Sequence, residues 1–257
     1  MFDFLFYTDT LVSFILTAIR IGAILFSAPF FGSNVIKPQI KVVLAVLIAF
    51  LIFPSVRIQP FSNLDPLFLT VLIFKEILIG ACIGLLSHFL FVGVQLGGQI
   101  AGMQIGFSIV NIIDPTSNVS LSIIATFLNI CMLLLFISLG GHYLLLGAIS
   151  ESFRLVPLTG GHIEPLAFEY IAKLFSFMFI TALKVMAPVL ITLLMFETVL
   201  GVIGKFVPQI NLMIVGFPIK IAIGLTMMAL SMNYFYIVYE KLLHRYFEEV
   251  ANMIRLF

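Results

Sequence analysis

Tryptophan is absent from the 257 residues, cysteine occurs twice, and charged side chains make up only 10% of the chain. Soluble domains carry roughly 25% charged residues. Together with 62% hydrophobic residues, this shortage means that water is not the main solvent of the chain. Thirteen Lys and Arg against twelve Asp and Glu leave a formal charge of +1, which excludes nucleic-acid binding through a basic surface. Disorder is excluded as well, because it combines low hydrophobicity with high net charge. Cys82 and Cys131 lie inside long uncharged runs and can build neither a disulfide framework nor a zinc cluster. They read as small buried apolar residues. His88, His142, His162 and His244 fall in separate segments without metal-ligand spacing. No phosphate-binding glycine loop, nucleophile with a His/Asp set or pair of intramembrane carboxylates is present, so neither an enzyme nor a bound cofactor or metal is expected. The first ten residues hold Asp3 and Asp9 but no Lys or Arg, the wrong charge for a cleaved signal.

What is present is apolar length. At roughly 20 residues per crossing, the chain suits about six long apolar helices joined in hairpins. The expected class is all-α and membrane-type. Charges and prolines place spans over about Thr10–Phe31, Val42–Pro54, Leu67–Val92, Leu121–Leu139, Leu174–Leu200 and Leu212–Val238. From Ile77 to Ile113 and from Pro115 to Ser150 no Asp, Glu, Lys or Arg occurs, and each run exceeds one crossing. The first is expected to leave the helix after Val92 for a Gly/Gln-rich segment. The hydrated stretch Glu151–Glu169 is the expected boundary between two halves. From Tyr239 to Phe257 apolar residues recur at helical spacing, which describes an amphipathic helix lying on a membrane or a partner. Arg57, Arg154, Lys241, Arg245 and Arg255 fall on one side of a six-span arrangement, against Lys37, Lys41 and Lys205 on the other. That bias favours a cytoplasmic C-terminus. VIKPQI at Val35–Ile40 and KFVPQI at Lys205–Ile210 form a short echo, each between two apolar segments.

Gly98, Gly102 and Gly106 recur every four residues, and Gly93 and Gly97 repeat the spacing one register earlier. On a helix such a stripe lets a neighbouring backbone approach closely, whether from this chain or from another. Gln95, Gln99 and Gln104 share the segment, and their amides need either a wet cavity or neighbouring helices. Met103–Asn118 is uncharged until Asp114, yet too interrupted for a lipid-facing helix. A loop at membrane depth must be enclosed by protein or water. Met103, Phe107, Ile109, Val110, Ile112 and Ile113 would then form an apolar constriction that closes a pore by dewetting it. Asp114 and Pro115 suit a helix cap and its first residue, at the end of that plug. Arg20, Lys184, Glu197 and Lys220 stand in or beside apolar stretches and require partners. Glu197 with Lys220 or Lys205 is the expected ion pair.

Four stretches carry a family resemblance: RIGAILFSAPFFG from Arg20, KEILIGACIG from Lys75, GGQIAGMQIGFSIVNIIDP from Gly97 and VPQINLMIVGFPIK from Val207. The chain resembles the FliR/SctT family of flagellar and type III secretion export-gate membrane proteins over nearly its full length. The resemblance implies one export-gate domain over 1–257, with a FliP-like portion over about 1–160 and a FliQ-like hairpin and C-terminal helix over about 165–257. It further implies a non-enzymatic subunit of the bacterial inner membrane and flagellar basal body, in contact with lipid. FliP and FliQ subunits would complete the conduit for unfolded export substrates, FlhB would contact it, and Met103–Asn118 matches the plug loop. An ion-coupled secondary transporter is the alternative that broken apolar segments and an internal echo allow. A passive assembly scaffold is a third.

Overall fold

The computed structural model describes residues 2–29, 36–56, 65–107, 122–158, 166–207 and 212–255. Among them every regular element is helical: α1 (Phe2–Ser27), α2 (Pro38–Ile52), α3 (Pro66–Ile105), α4 (Ile123–Ser138), α5 (Gly141–Leu155), α6 (Leu166–Phe206), α7 (Leu212–Leu230) and α8 (Met232–Ile254), with a 3-10 turn at Phe53–Ser55. Among the described residues, four helical stretches are long and apolar enough to cross a membrane, Thr8–Ser27, Pro38–Ser55, Pro66–Ile105 and Ala172–Phe206; counting α4 with α5 and α7 with α8 as bent spans brings the number to six.

Local chemistry sets the ends. Pro38 opens α2, where its missing N–H costs nothing. Ser122 caps α4 by accepting a hydrogen bond from Ile124 N at 3.3 Å. Gly140, at φ 72°, separates α4 from α5 with a backbone that a side chain would oppose. Ser231 separates α7 from α8, which meet at a bend of 54°.

Four expectations are corrected. The Gly/Gln-rich segment does not leave the helix at Val92: α3 continues to Ile105, because neighbouring helices occupy the space that its glycines leave. The last span ends at Leu230, and the amphipathic helix starts at Met232 rather than near Tyr239. That helix also does not offer its apolar stripe to lipid. Tyr239, Leu242, Leu243, Tyr246, Val250, Met253 and Ile254 are buried within the chain itself. Glu151 and Arg154, expected in a hydrated connection, lie in the last turns of α5, where they pair at 2.6 Å.

The chain divides into two compact units, Met1–Phe89 with Gly140–Phe175 and His244–Phe257, and Leu90–Leu139 with Ser176–Leu243. In the first, α1 and α2 run antiparallel: Phe14 meets Phe53 edge-on at 5.5 Å, and Lys41 lies 5.5 Å from the Phe26 ring. Ser87 and Tyr246 join α3 to α8 through a 2.6 Å hydroxyl contact. In the second, α4 and α6 pack on the glycine-bearing end of α3.

Candidate functional site at the end of the glycine helix

The glycines of α3 face in two directions. A Cβ on Gly93 would stand 3.0 Å from the carbonyl oxygen of Met178, and one on Gly97 would stand 2.7 Å from that of Ala182, both on α6. One residue further round, a Cβ on Gly98 would stand 2.7 Å from Cα of Ala125 on α4. Adjacent helical residues differ by about 100°, so the two stripes form two grooves, each filled by a different helix of the same chain. Gln95, Gln99 and Gln104 lie half-buried on the same helix.

Where α3 ends, its last carbonyls are tied off. Gly106 N–H bonds to Met103 O at 3.1 Å and Phe107 N–H to Gly102 O at 3.0 Å, with Gly106 at φ 109°. This pattern is a Schellman cap, which stops the helix and turns the chain sharply away. A Cβ on Gly106 would come within 2.5 Å of the Phe217 ring of α7. Gly102, one turn earlier, faces Ser122 so closely that any side chain would collide with its hydroxyl. Ser122 is the residue that starts α4. The two ends that flank residues 108–121, Phe107 and Ser122, are therefore held at one stem, built from Gly102, Gly106 and Ser122. Met103 is 58% exposed beside that stem, and Phe107 is half-buried. Ile109, Val110, Ile112, Ile113, Asp114 and Pro115 lie outside the described residues; the cap that the structure records at the start of α4 is Ser122.

Two ion pairs join charged side chains of the apolar helices. Lys220 of α7 bonds to the Glu197 carboxylate of α6, while Lys205 is exposed. Lys184 is exposed too, and its backbone oxygen accepts a hydrogen bond from Tyr234 at 3.1 Å. In the other unit, Arg20 of α1 is wholly buried against Glu76 of α3. Its Nε and Nη2 clamp both carboxylate oxygens, the latter at 3.0 Å. Its Nη1 donates to Ser152 O and Val156 O at the end of α5, both at 3.0 Å, and the guanidinium lies 4.4 Å from the Phe153 ring. A cation is favoured at a helix C-terminus, where unpaired carbonyls gather. Among the described residues no group of three His, Cys, Asp or Glu could hold a metal ion.

Residues 11–246 match the family described as bacterial export proteins, family 1. The chain belongs to this family. Among curated relatives it is similar to the flagellar biosynthetic protein FliR of Bacillus subtilis, 32% identical over 254 residues and 96% of each chain. It is also similar to FliR of Escherichia coli, 29% identical over 92% of this chain and 90% of the relative. The FliR of Aquifex aeolicus is 29% identical over 87% and 86%.

In this export protein the partner that Arg20 requires is Glu76, which its sequence position does not reveal. Glu76 follows Lys75, so the pair reads as a charged surface step at a helix end. Only helical phase separates them: Glu76 is fully buried and Lys75 lies on another face. Gly80 and Gly84 were also missed. A Cβ on Gly80 would stand 2.5 Å from Arg20 O, and Gly84 abuts Ser27, so this third stripe sets α1 against α3 beside the ion pair. Its four-residue spacing was a readable signal.

Proposed function

We propose that this chain is a core subunit of the flagellar type III protein export gate. With FliP and FliQ subunits it forms, in the bacterial inner membrane at the flagellar basal body, a conduit for unfolded export substrates, and it contacts FlhB. The role is passage and closure, without chemistry on the cargo. Its relatives' names and the family match support the flagellar export apparatus. One geometric observation supports the gate: the close packing of Gly102 on Ser122 at the start of α4 and of Gly106 on Phe217 of α7, which fixes the two ends, Phe107 and Ser122, between which the plug segment runs in the sequence. Met103, Phe107, Ile109, Val110, Ile112 and Ile113 act as the apolar plug, with Asp114 and Pro115 at its end. An apolar constriction excludes water and ions, and a translocating chain displaces it.

Residues from about 1 to 160 serve as the FliP-like portion and from about 165 to 257 as the FliQ-like hairpin and C-terminal helix. Glycine contacts hold the stem in place, and the Glu197–Lys220 pair holds α6 to α7. A secondary transporter would use an unpaired carboxylate in its spans; Glu76 and Glu197, in the two longest apolar helices, are both paired with cations.

The test replaces Ile109, Val110, Ile112 and Ile113 together by serine in a complex assembled with FliP and FliQ. Ion leak across the membrane is expected to rise while complex yield stays constant. An intact complex with unchanged leak rejects the plug and favours a passive scaffold.

A further inference from the structure

The helix α2 touches α1 along a narrow seam of Lys41, Ala45 and Ala49, and these are its buried residues. Beside that seam a cleft of about 430 Å³ opens between α1, α2 and α5, lined by Leu25, Leu44, Ile48, Leu51, Leu145 and Leu146. Its size falls within the roughly 300–1,000 Å³ of small-molecule sites. The cleft opens outward: Leu51 is 76% exposed and Leu146 40%. Along α2, from Leu44 to Ile52, it extends about 12 Å at 1.5 Å per residue.

One end of this apolar slot is cationic. Lys41, one turn before Leu44 on the same helix, is buried to 6% exposure with its ammonium 5.5 Å from the Phe26 ring, and Lys37 stands exposed at the N-cap. No acidic residue lies in the first turn of α2, and neither lysine pairs with a carboxylate among the described residues. Two cations at the positive end of a helix dipole repel it and attract an anion. Arg20 meets the C-terminal end of α5, and Leu25 shares the cleft with earlier α5 residues, so α5 runs antiparallel to α1. That direction brings His142 to the lysine end. Its Nδ1 is buried without a hydrogen-bond partner among the described residues.

We propose that this cleft holds one acyl chain of an anionic phospholipid, whose phosphate sits at Lys37 and Lys41. Only the apolar chain enters the slot, and the headgroup stays at the helix end. A zwitterionic lipid would bring its own cation to the two lysines and is disfavoured. The inference rests on membrane embedding alone and stands apart from the export-gate reading.

The absence of tryptophan makes the test direct. Leu146→Trp supplies a single reporter in the cleft, Leu51→Trp a second at its outer edge, and Phe50→Trp, at an exposed position, a control for bulk lipid. Each full chain is reconstituted in phosphatidylcholine with a small fraction of phosphatidylglycerol brominated on its acyl chain. The cleft reporters are expected to be quenched at mole fractions that leave Phe50→Trp bright. Lys37→Gln or Lys41→Gln should each weaken that preference about five-fold. In the same mixture, brominated phosphatidylcholine with unbrominated phosphatidylglycerol should quench Phe50→Trp more than the two cleft reporters. Quenching of the cleft reporters that merely follows bulk mole fraction overturns the proposal. So does a cleft reporter that no lipid quenches, which would mean that protein fills the slot, or a preference indifferent to both lysines.

Discussion

Arg20 and Glu76 are each without solvent contact; Glu76 is held by Arg20, and Arg20 by Glu76 and the end of α5. A paired buried charge adds little net stability over well-packed apolar residues, but removing one partner strands the other at a cost of about 3–5 kcal/mol. Glu76→Gln and Arg20→Met should therefore each lower thermal stability in detergent by that amount. The double variant should recover much of it, since no charge is then stranded. A double variant as unstable as the sum of the two singles would show that the pair does not act as a unit. Gly106 is a second residue whose role is local. At φ 109° a side chain opposes the backbone by about 1–2 kcal/mol, and the Phe217 ring must also move. Gly106→Ala is expected to destabilise by at least that much, and Phe217→Ala should relieve only the steric part. Full rescue by Phe217→Ala, measured by thermal unfolding, would show that backbone strain contributes nothing.

At the scale of elements, α3 and α6 have 40 and 41 residues. At 1.5 Å per residue each extends about 60 Å, twice the roughly 30 Å hydrocarbon core. Most residues of such helices that lie outside the bilayer need protein around them. Glycines on α3 satisfy this within the chain, by letting α1, α4 and α6 approach to backbone contact. Between α6 and α7, Gly216 packs on Leu200 and the Glu197–Lys220 pair, with exposures of 42% and 18%, adds an ionic link. In water such a pair contributes about 0–1 kcal/mol. Beside apolar helices an unpaired charge costs more. Lys220→Glu alone should thus reduce the amount of folded chain recovered from membranes, and the swap Glu197→Lys with Lys220→Glu should restore it. Equal recovery of single and swapped variants would place both charges in water.

For the whole molecule, the exposed apolar side chains of α6 and α7, among them Phe175, Phe179, Leu194, Phe206 and Ile214, mark faces that the described residues do not cover. Lipid or partner subunits must cover them. In the proposed export gate, FliP and FliQ subunits do so. Co-expression should then yield one stable complex with a fixed content of this chain, and cysteines placed at Phe179 and Leu194 should lose reactivity toward a lipid-phase label on assembly. Unchanged labelling in that complex would assign both faces to lipid.

Much of this architecture follows from composition. In lipid the backbone is satisfied by helices or closed barrels, and continuous apolar runs lack the apolar/polar alternation of barrel strands, so helical class and approximate spans were legible before any packing. The glycine repeat was equally legible, because spacing alone puts Gly98 and Gly102 on one face. Which helix fills that face depends on contacts between residues far apart in the chain, and local sequence does not encode them. The same limit hid Glu76, whose neighbour Lys75 has the same local setting and a different helical phase. It also hid the fate of the α8 stripe: amphipathic spacing specifies that an apolar face must be buried, and only tertiary packing decided that the chain buries most of it itself.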